Sequence, residues 1–376
     1  MNPFKFGDPV EGEYYLERSE LDKAVMQFIS NRIHVVLIGP RRFGKTSFVY
    51  HLNRKMEEQG FVVLFVDIFN ITSHRDFLQQ LLRALKVKKS WVQAGMEWLS
   101  DHRPKLSADI DPVSGQTSFG LSLSNAEEKD VKEMIQDVLS GIKELGKQVL
   151  LVIDEFQKIA DLNDEGWLEA TLRTHMQQLR NTSFLFTGSR KGIISDMLNN
   201  PARPLYRSCQ LIEFPSFGDE LVSWIVERFK LANVHADPEA IRSLKKTVQE
   251  TPNYVQMICF HLIAAGVKNV TQASVEETLK NVVLKNTYAY QTLLKTLTPL
   301  QQRVLRLAAI KQSQIFSKHY LSEFEIPNAP ALSSSIKALK SKGILDEEGT
   351  EKGHVIFDDP LFAIWLRITF DEDAHV

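Results

Sequence analysis

The stretch HVVLIGPRRFGKTSFVYHL at residues 34–52 decides the fold. An apolar run stops at Gly39, the chain passes Arg41 and Arg42, and apolar residues resume after Gly44, Lys45 and Thr46. The run before the glycine reads as a buried strand, and the segment after Thr46 reads as a helix to about residue 59, where Gly60 stops it. Gly39, Pro40, Arg41, Arg42, Phe43, Gly44, Lys45 and Thr46, followed by Ser47, satisfy the pattern of a phosphate-cradling loop. Its glycines let backbone amides face phosphate oxygens, the following helix offers its positive end, Lys45 reaches the terminal phosphates, and the Thr46 hydroxyl is a magnesium ligand. Chance produces the pattern in roughly one chain in a hundred of this length. A glycine-bounded turn with solvated basic residues has no need of a strand before it and a helix after it. That context is present here.

Working outward, the alternation of strand and helix continues. Leu21, Val25, Phe28 and Ile29 recur at helical spacing within residues 19–30, ahead of the first strand. FVVLFVDIF, apolar on both faces, reads as an internal parallel strand and is followed by a helix over residues 75–85. Residues 86–125 break the rhythm: KLSADID and TSFGLSLS alternate around PVSG, which predicts an inserted β-hairpin at about 104–125. Trp91, Trp98, Phe119 and Leu121 either expose apolar area around it or form a satellite core beneath it. A helix over 127–145, the strand QVLLVIDEF, a helix over 167–180 and the strand TSFLFTGS then follow. Four buried strands separated by helices predict an α/β doubly wound parallel sheet, the P-loop NTPase arrangement, over residues 1–217.

Residues 218–290 read as a helical lid domain, helical throughout, and 291–376 as a C-terminal winged helix. In the latter, Thr298 caps a helix that has Pro299 at its first position, a second helix ends at Gly343, and ILDEEGTEKGHVIF predicts two short strands around a turn. A chain of 376 residues exceeds the usual size of one core, in keeping with this division. Its 45 basic and 47 acidic side chains give no global electrostatic argument for nucleic acid. Cys209 and Cys259 are too few for a disulfide framework and read as small buried hydrophobes. The opening MNPFKFGDPVEGEYY has acids and prolines where a signal peptide needs a basic start and an apolar core, and no apolar run is long enough to span a bilayer. Together these predict a cytoplasmic protein that does not engage a membrane.

The residues that would act on a bound nucleotide sit at strand ends. In VLLVIDEF an apolar run leads into Asp154 and Glu155. An aspartate there holds magnesium, and the next carboxylate polarises an attacking water. FLFTGSR ends in Thr187, Gly188, Ser189 and Arg190, where Ser189 is placed to hydrogen-bond the water or the terminal phosphate. NPARPLYRS puts Arg203 and Arg207 in an irregular segment suited to an arginine finger, the alternative being ordinary ion pairs.

NPFKFGDPVEGEYYLERSEL, GPRRFGKTS, LLVIDEFQ, TGS, RPLYRS, TPNYVQ and FDDPLFAIWLR together resemble the prokaryotic AAA+-like ATPases of the STAND clade, the archaeal ATPase family that is also common in bacteria. The resemblance covers almost the whole chain. It implies that the helical segment 218–290 is an AAA+-type helical domain, and it implies ATP and Mg as cofactors, ATP hydrolysis, and Arg18 and Glu20 at the edge of the nucleotide. Pro252 belongs to a segment that in the family reads Gly-x-Pro and senses nucleotide, but here Glu250 holds the glycine position. No clear second-sensor arginine is found.

Residues 296–342 carry seven basic and two acidic side chains, whereas 343–376 carry two and nine. Lys337, Lys340 and Lys342 with Ser333, Ser334 and Ser335 are consistent with contact to double-stranded DNA, but a wing reading DEEGTE repels phosphates. Three readings follow: an ATP-hydrolysing switch that engages a protein partner or DNA, with a nucleotide-dependent oligomer as one form; a DNA-binding regulator that only holds nucleotide; and a scaffold with a structural ATP site. Adjacent Asp154 and Glu155 favour the first, since passive binding does not need the second carboxylate.

Overall fold

In the computed structural model the apolar runs become parallel strands. Residues 2–86, 127–162, 164–311, 314–346 and 355–371 are described, with the strand residues 109–110 and 117–118 between them. Trp91, Trp98, Phe119 and Leu121 lie outside the described residues. The chain divides into a unit of Glu17–Gly39 and Phe48–Phe214 and a unit of Met1–Leu16, Pro40–Ser47 and Pro215–Val376.

The first unit is built on β1 (Val35–Ile38), β2 (Val62–Asp67), β5 (Val149–Asp154), β6 (Thr182–Gly188) and β7 (Gln210–Glu213); the brief β3 (Asp109–Ile110) and β4 (Thr117–Ser118) pair antiparallel with each other. The five-stranded sheet runs β2-β5-β6-β1-β7, and every pairing in it is parallel. All residues of β1, β5 and β6 are buried, the reason their sequences are unbroken apolar runs. The edge strand β7 was not among the four strands expected, because Gln210 and Glu213 are exposed and only its middle is half-buried. Parallel pairing aligns the strand ends: Ile38 lies opposite Gly188 and Ile153 opposite Phe186, so the exits of β1, β5 and β6 share one edge.

The crossovers are helical: α1 (Ser19–Ser30), α2 (Lys45–Glu58), α3 (His74–Lys86), α4 (Glu128–Gly141), α5 (Trp167–Gln178) and α6 (Lys191–Asn199). Each presents an apolar stripe at helical spacing, such as Leu21, Val25 and Ile29 of α1 or Val131, Ile135 and Val138 of α4, all buried.

The second unit holds α7 (Asp219–Leu231), α8 (Pro238–Thr247), α9 (Pro252–Ala264), α10 (Gln272–Lys285), α11 (Thr287–Lys295), α12 (Pro299–Lys311), α13 (Lys318–Glu323), α14 (Ala329–Ser341) and α15 (Pro360–Phe370). The expectation of helix throughout 218–290 needs one correction: β8 (His235–Ala236) pairs in parallel with β9 (Asn269–Val270). A two-residue strand is too short to leave a period in the sequence. Thr298 and Gln301 cap α12 reciprocally, with side chains accepting at 3.3 and 3.2 Å, and Asn328 accepts the Ala331 amide at 2.9 Å to start α14. Leu345 bridges antiparallel to Phe357 at the base of the wing, whose residues 347–354 lie outside the described set.

One hydrophobic core runs through this unit, from Phe229, Ile241 and Leu262 to Leu305, Leu339 and Trp365. Phe4 joins it with its ring centroid 4.7 Å from that of Phe229. Both thiols are free, and burial pushes that of Cys209 up to about 12. Among the described residues no helix is long and apolar enough to cross a membrane.

Candidate functional site

The glycine loop closes on itself. Gly44 and Arg42 have φ values of 92° and 63°, left-handed conformations that turn successive amides toward one side. Lys45 is buried, and its ammonium donates to the Pro40 carbonyl at 2.7 Å, so the side chain folds back over the loop it follows. Ser47, one residue into the helix beyond Thr46, accepts the Val10 amide at 3.0 Å and ties the loop to the N-terminal segment. Gly39 is required for a different reason: a Cβ there would lie 2.7 Å from the Cβ of Phe214. Arg18 is also buried against Phe214, its guanidinium 4.2 Å from the ring centroid, whereas Glu20 is exposed and paired with Lys23 at 2.9 Å.

At the end of β5, Asp154 is buried and its Oδ1 accepts the Thr187 hydroxyl and, at 3.0 Å, the Glu155 amide. Glu155 sits at φ 59°, a left-handed conformation that ends the strand. Its Oε2 accepts from the Gln157 amide group and from the Ser189 hydroxyl at 3.3 Å. Gln157, buried, also accepts the Ser189 backbone N–H at 3.3 Å through Oε1. Thus Asp154, Glu155 and Ser189, each expected to act on the nucleotide, lie in one hydrogen-bonded group, to which the structure adds Thr187 and Gln157.

The arginines of the irregular segment have separate employments. Arg203 pairs with the buried carboxylate of Glu169 at 2.7 Å. Burial pushes the Glu169 carboxyl up, against the opposing pull of the Leu205 amide and Arg203. Arg207, at φ 50°, lays its guanidinium 5.1 Å from the Tyr206 ring centroid. Pro252 is buried at the first position of α9, behind Thr251. Glu250 has φ 61°, so it keeps the left-handed backbone a glycine would take there, and it pairs with Lys245 at 2.5 Å.

Residues 29–194 match the family model described as an AAA domain, and residues 288–368 match one described as a probable winged helix domain. The fold is that of an AAA-type P-loop NTPase with a C-terminal winged helix. Two uncharacterized ATP-binding proteins of Methanocaldococcus jannaschii are similar in sequence. One is 28% identical over 156 residues, 38% of this chain and 42% of the relative, and another is 30% identical over 135 residues, 35% and 37%. The matched part thus spans less than half the length of these relatives. Among solved structures, the Walker-type ATPase of Pyrococcus abyssi superposes with a TM-score of 0.62 at 19% identity, over 94% of this chain and 97% of that one. The Aeropyrum pernix ORC2 protein, in its ADPNP-ADP complexes, gives 0.57 at 14% identity over 94% and 95%.

In this chain three residues escaped the sequence reading. Phe214 and Gln157 have been described; the third is Tyr254. Its hydroxyl accepts from Arg42 and donates to Asp359 Oδ1 at 2.8 Å, while the Tyr290 hydroxyl donates to the other carboxylate oxygen at 3.1 Å. Burial, then the charge of Asp359, pushes both phenols upward, so both remain donors at neutral pH. Only the position of Tyr254 two residues beyond Pro252 marked it in the sequence, and that spacing says nothing about its partner.

Proposed function

We propose that this chain binds ATP with magnesium on the glycine loop and hydrolyses it, working as a switch of the STAND kind that couples nucleotide state to engagement of a partner. The observation that carries the reading is the group at the exits of β5 and β6: a buried aspartate oriented by a threonine hydroxyl, followed by a glutamate held by Gln157 and Ser189. The oxygen of Asp154 suits a hard cation, and its carboxylate is already oriented by two hydrogen bonds, while the loop pattern assigns the Thr46 hydroxyl as a further oxygen ligand. Magnesium, when bound, neutralises charge on the phosphate oxygens.

The protein's own groups divide the remaining work. Loop amides and Lys45 bind the phosphates, with Arg41, Arg42, Phe43 and Ser47 as the loop's other members. Glu155 accepts hydrogen bonds from two donors on one oxygen, and it orients and deprotonates the attacking water once those donors yield it. Ser189, bonded to Glu155 at 3.3 Å, is the hydroxyl assigned to exchange that bond for one to the water or the terminal phosphate. Arg207 is the arginine proposed to reach the phosphate, since Arg203 is engaged with a buried acid.

DNA contact is the weaker partner reading. Arg303 pairs with Glu325 at 3.1 Å, Lys311 with Glu323 at 2.9 Å, and Arg306 lies 3.8 Å from the Phe370 ring centroid, so three of the basic residues of 296–342 serve the winged helix itself. Ser335 is buried. A protein partner is therefore the reading adopted.

Phosphate release from the full chain with ATP and magnesium tests the proposal. Lys45→Ala is expected to abolish nucleotide binding, and Glu155→Gln to bind ATP while losing turnover by about 10²–10⁴-fold. Unchanged hydrolysis in both variants would sink the mechanism. Acceleration by double-stranded DNA would restore the nucleic-acid reading.

A further inference from the structure

Arg41 and Arg42 occupy positions where the phosphate-loop pattern asks for no particular residue, so binding phosphate does not by itself account for them. Within the unit that contains the loop, both lead to one dipeptide of the winged helix. Arg41 Nη1 lies 3.8 Å from Asp358 Oδ2. Arg42 reaches Asp359 through Tyr254: its guanidinium is 5.1 Å from the ring centroid and donates to the phenol oxygen, which in turn donates to Asp359. Asp359 is fixed in place, because it also accepts the Leu361 amide at 3.0 Å as the N-cap of α15 and the Tyr290 hydroxyl at 3.1 Å. Among the described residues the Asp358 side chain has no such anchorage, and its pair with Arg41 is partly exposed on both sides, 45% and 26%.

The chemistry of the two contacts differs accordingly. Arg42 is held at a left-handed φ of 63° by an aromatic face and a chain of hydroxyl and carboxylate, a rigid support for the loop's shape. Arg41 meets a single carboxylate at long range in a partly exposed pair, the kind of contact a phosphate breaks easily. A guanidinium prefers the bidentate, doubly charged oxygens of a phosphate to a distant single carboxylate. Burial raises the Asp358 carboxyl against the opposing charges of Arg41, Arg42 and Lys45, so it faces several of the loop's cations and not one side chain.

We propose that Asp358 is an internal competitor for the nucleotide's phosphates, holding Arg41 through its carboxylate and so lowering the loop's affinity while reporting occupancy to the winged helix. This rests on the ATP-binding reading above. By linkage, the factor by which phosphate weakens the grip of Asp358 on Arg41 equals the factor by which loss of Asp358 tightens phosphate binding.

Titration of the full chain with a fluorescent ATP analogue and magnesium, at fixed salt, tests it. D358N is expected to bind about 5-fold tighter or more. In an R41A background the same substitution is expected to change nothing, since the competitor has lost what it holds. Equal or weaker binding by D358N, or an equal gain with and without Arg41, overturns the proposal while leaving ATP binding intact. An unaltered chain that binds no analogue overturns both. Should D358N fail to fold, hydrogen exchange of the unaltered chain decides: ATP is expected to speed exchange at residues 355–361, unlike in Lys45→Ala, and no change overturns the proposal.

Discussion

At Gly39 the glycine serves two masters. As the first member of the phosphate loop it belongs to a motif, but its missing side chain is demanded by Phe214, whose Cβ would sit 2.7 Å from a Cβ added there. The obstruction is the root of a buried side chain whose amide also bonds to the Ile38 carbonyl at 2.6 Å, so neither partner yields cheaply. Gly39→Ala is expected to cost about 1–3 kcal/mol, read as a lowered urea midpoint, independently of any nucleotide. Gly44 is different: nothing lies near an added Cβ, and the constraint is its φ of 92°. The sequence pattern marks both glycines identically. Only the structure separates a glycine needed for space from one needed for its backbone angle.

Elements join through side chains as well as ladders. His34, at the entrance to β1, accepts the Phe184 amide at Nδ1, 3.2 Å, and meets the Met176 carbonyl at Nε2, 3.3 Å. Those two bonds specify the neutral Nε2–H tautomer and lock β1 to β6 and α5. Burial, aided by the charge of Arg173 and opposed by Met176, holds the imidazole pKa below its ordinary 6.5. Between the folded and unfolded values the unfolded chain therefore binds more protons, so this histidine's contribution is complete above pH 6.5 and is lost as pH falls below it. The urea midpoint is expected to drop between pH 8 and pH 5.5, and to drop less in His34→Gln. An equal drop in the variant would assign the acid sensitivity to other groups.

The strand ends illustrate how much an element reveals by itself. Asp154 and Glu155 were legible as a pair because a parallel strand buried on both faces is an apolar run, and the first acid after it marks the exit. Gln157 was not legible, since a glutamine three residues past a strand end looks like any turn residue until β6 brings Ser189 beside it. The edge strand β7 was missed for a related reason: half a face of burial leaves no run.

Across the molecule, the helical segment after Pro215 and the winged helix share a core, which sequence boundaries at 217 and 290 do not suggest. Trp365 sits at its centre, fully buried, with its indole N–H donating to Thr287 at 3.1 Å and its ring beside Tyr290, Phe362 and Phe370. Trp365→Ala is expected to cost about 3–5 kcal/mol. Hydrogen exchange should accelerate together in α9 and α14, as one cooperative body; acceleration confined to α14 and α15 would show that the winged helix unfolds alone.

The sequence by itself determined the positions of the glycine loop, the acids at the end of β5, the buried strands and the Thr298 cap of α12. Each is written in consecutive residues, as a period, a motif or a turn chemistry. The tertiary structure decided what those residues answer to: Phe214 against Gly39, Gln157 on Glu155, and the Arg42 to Tyr254 contact across 212 positions of chain. Such pairings follow from burial and charge in three dimensions, where the side chains that meet are chosen by packing and not by their separation along the chain.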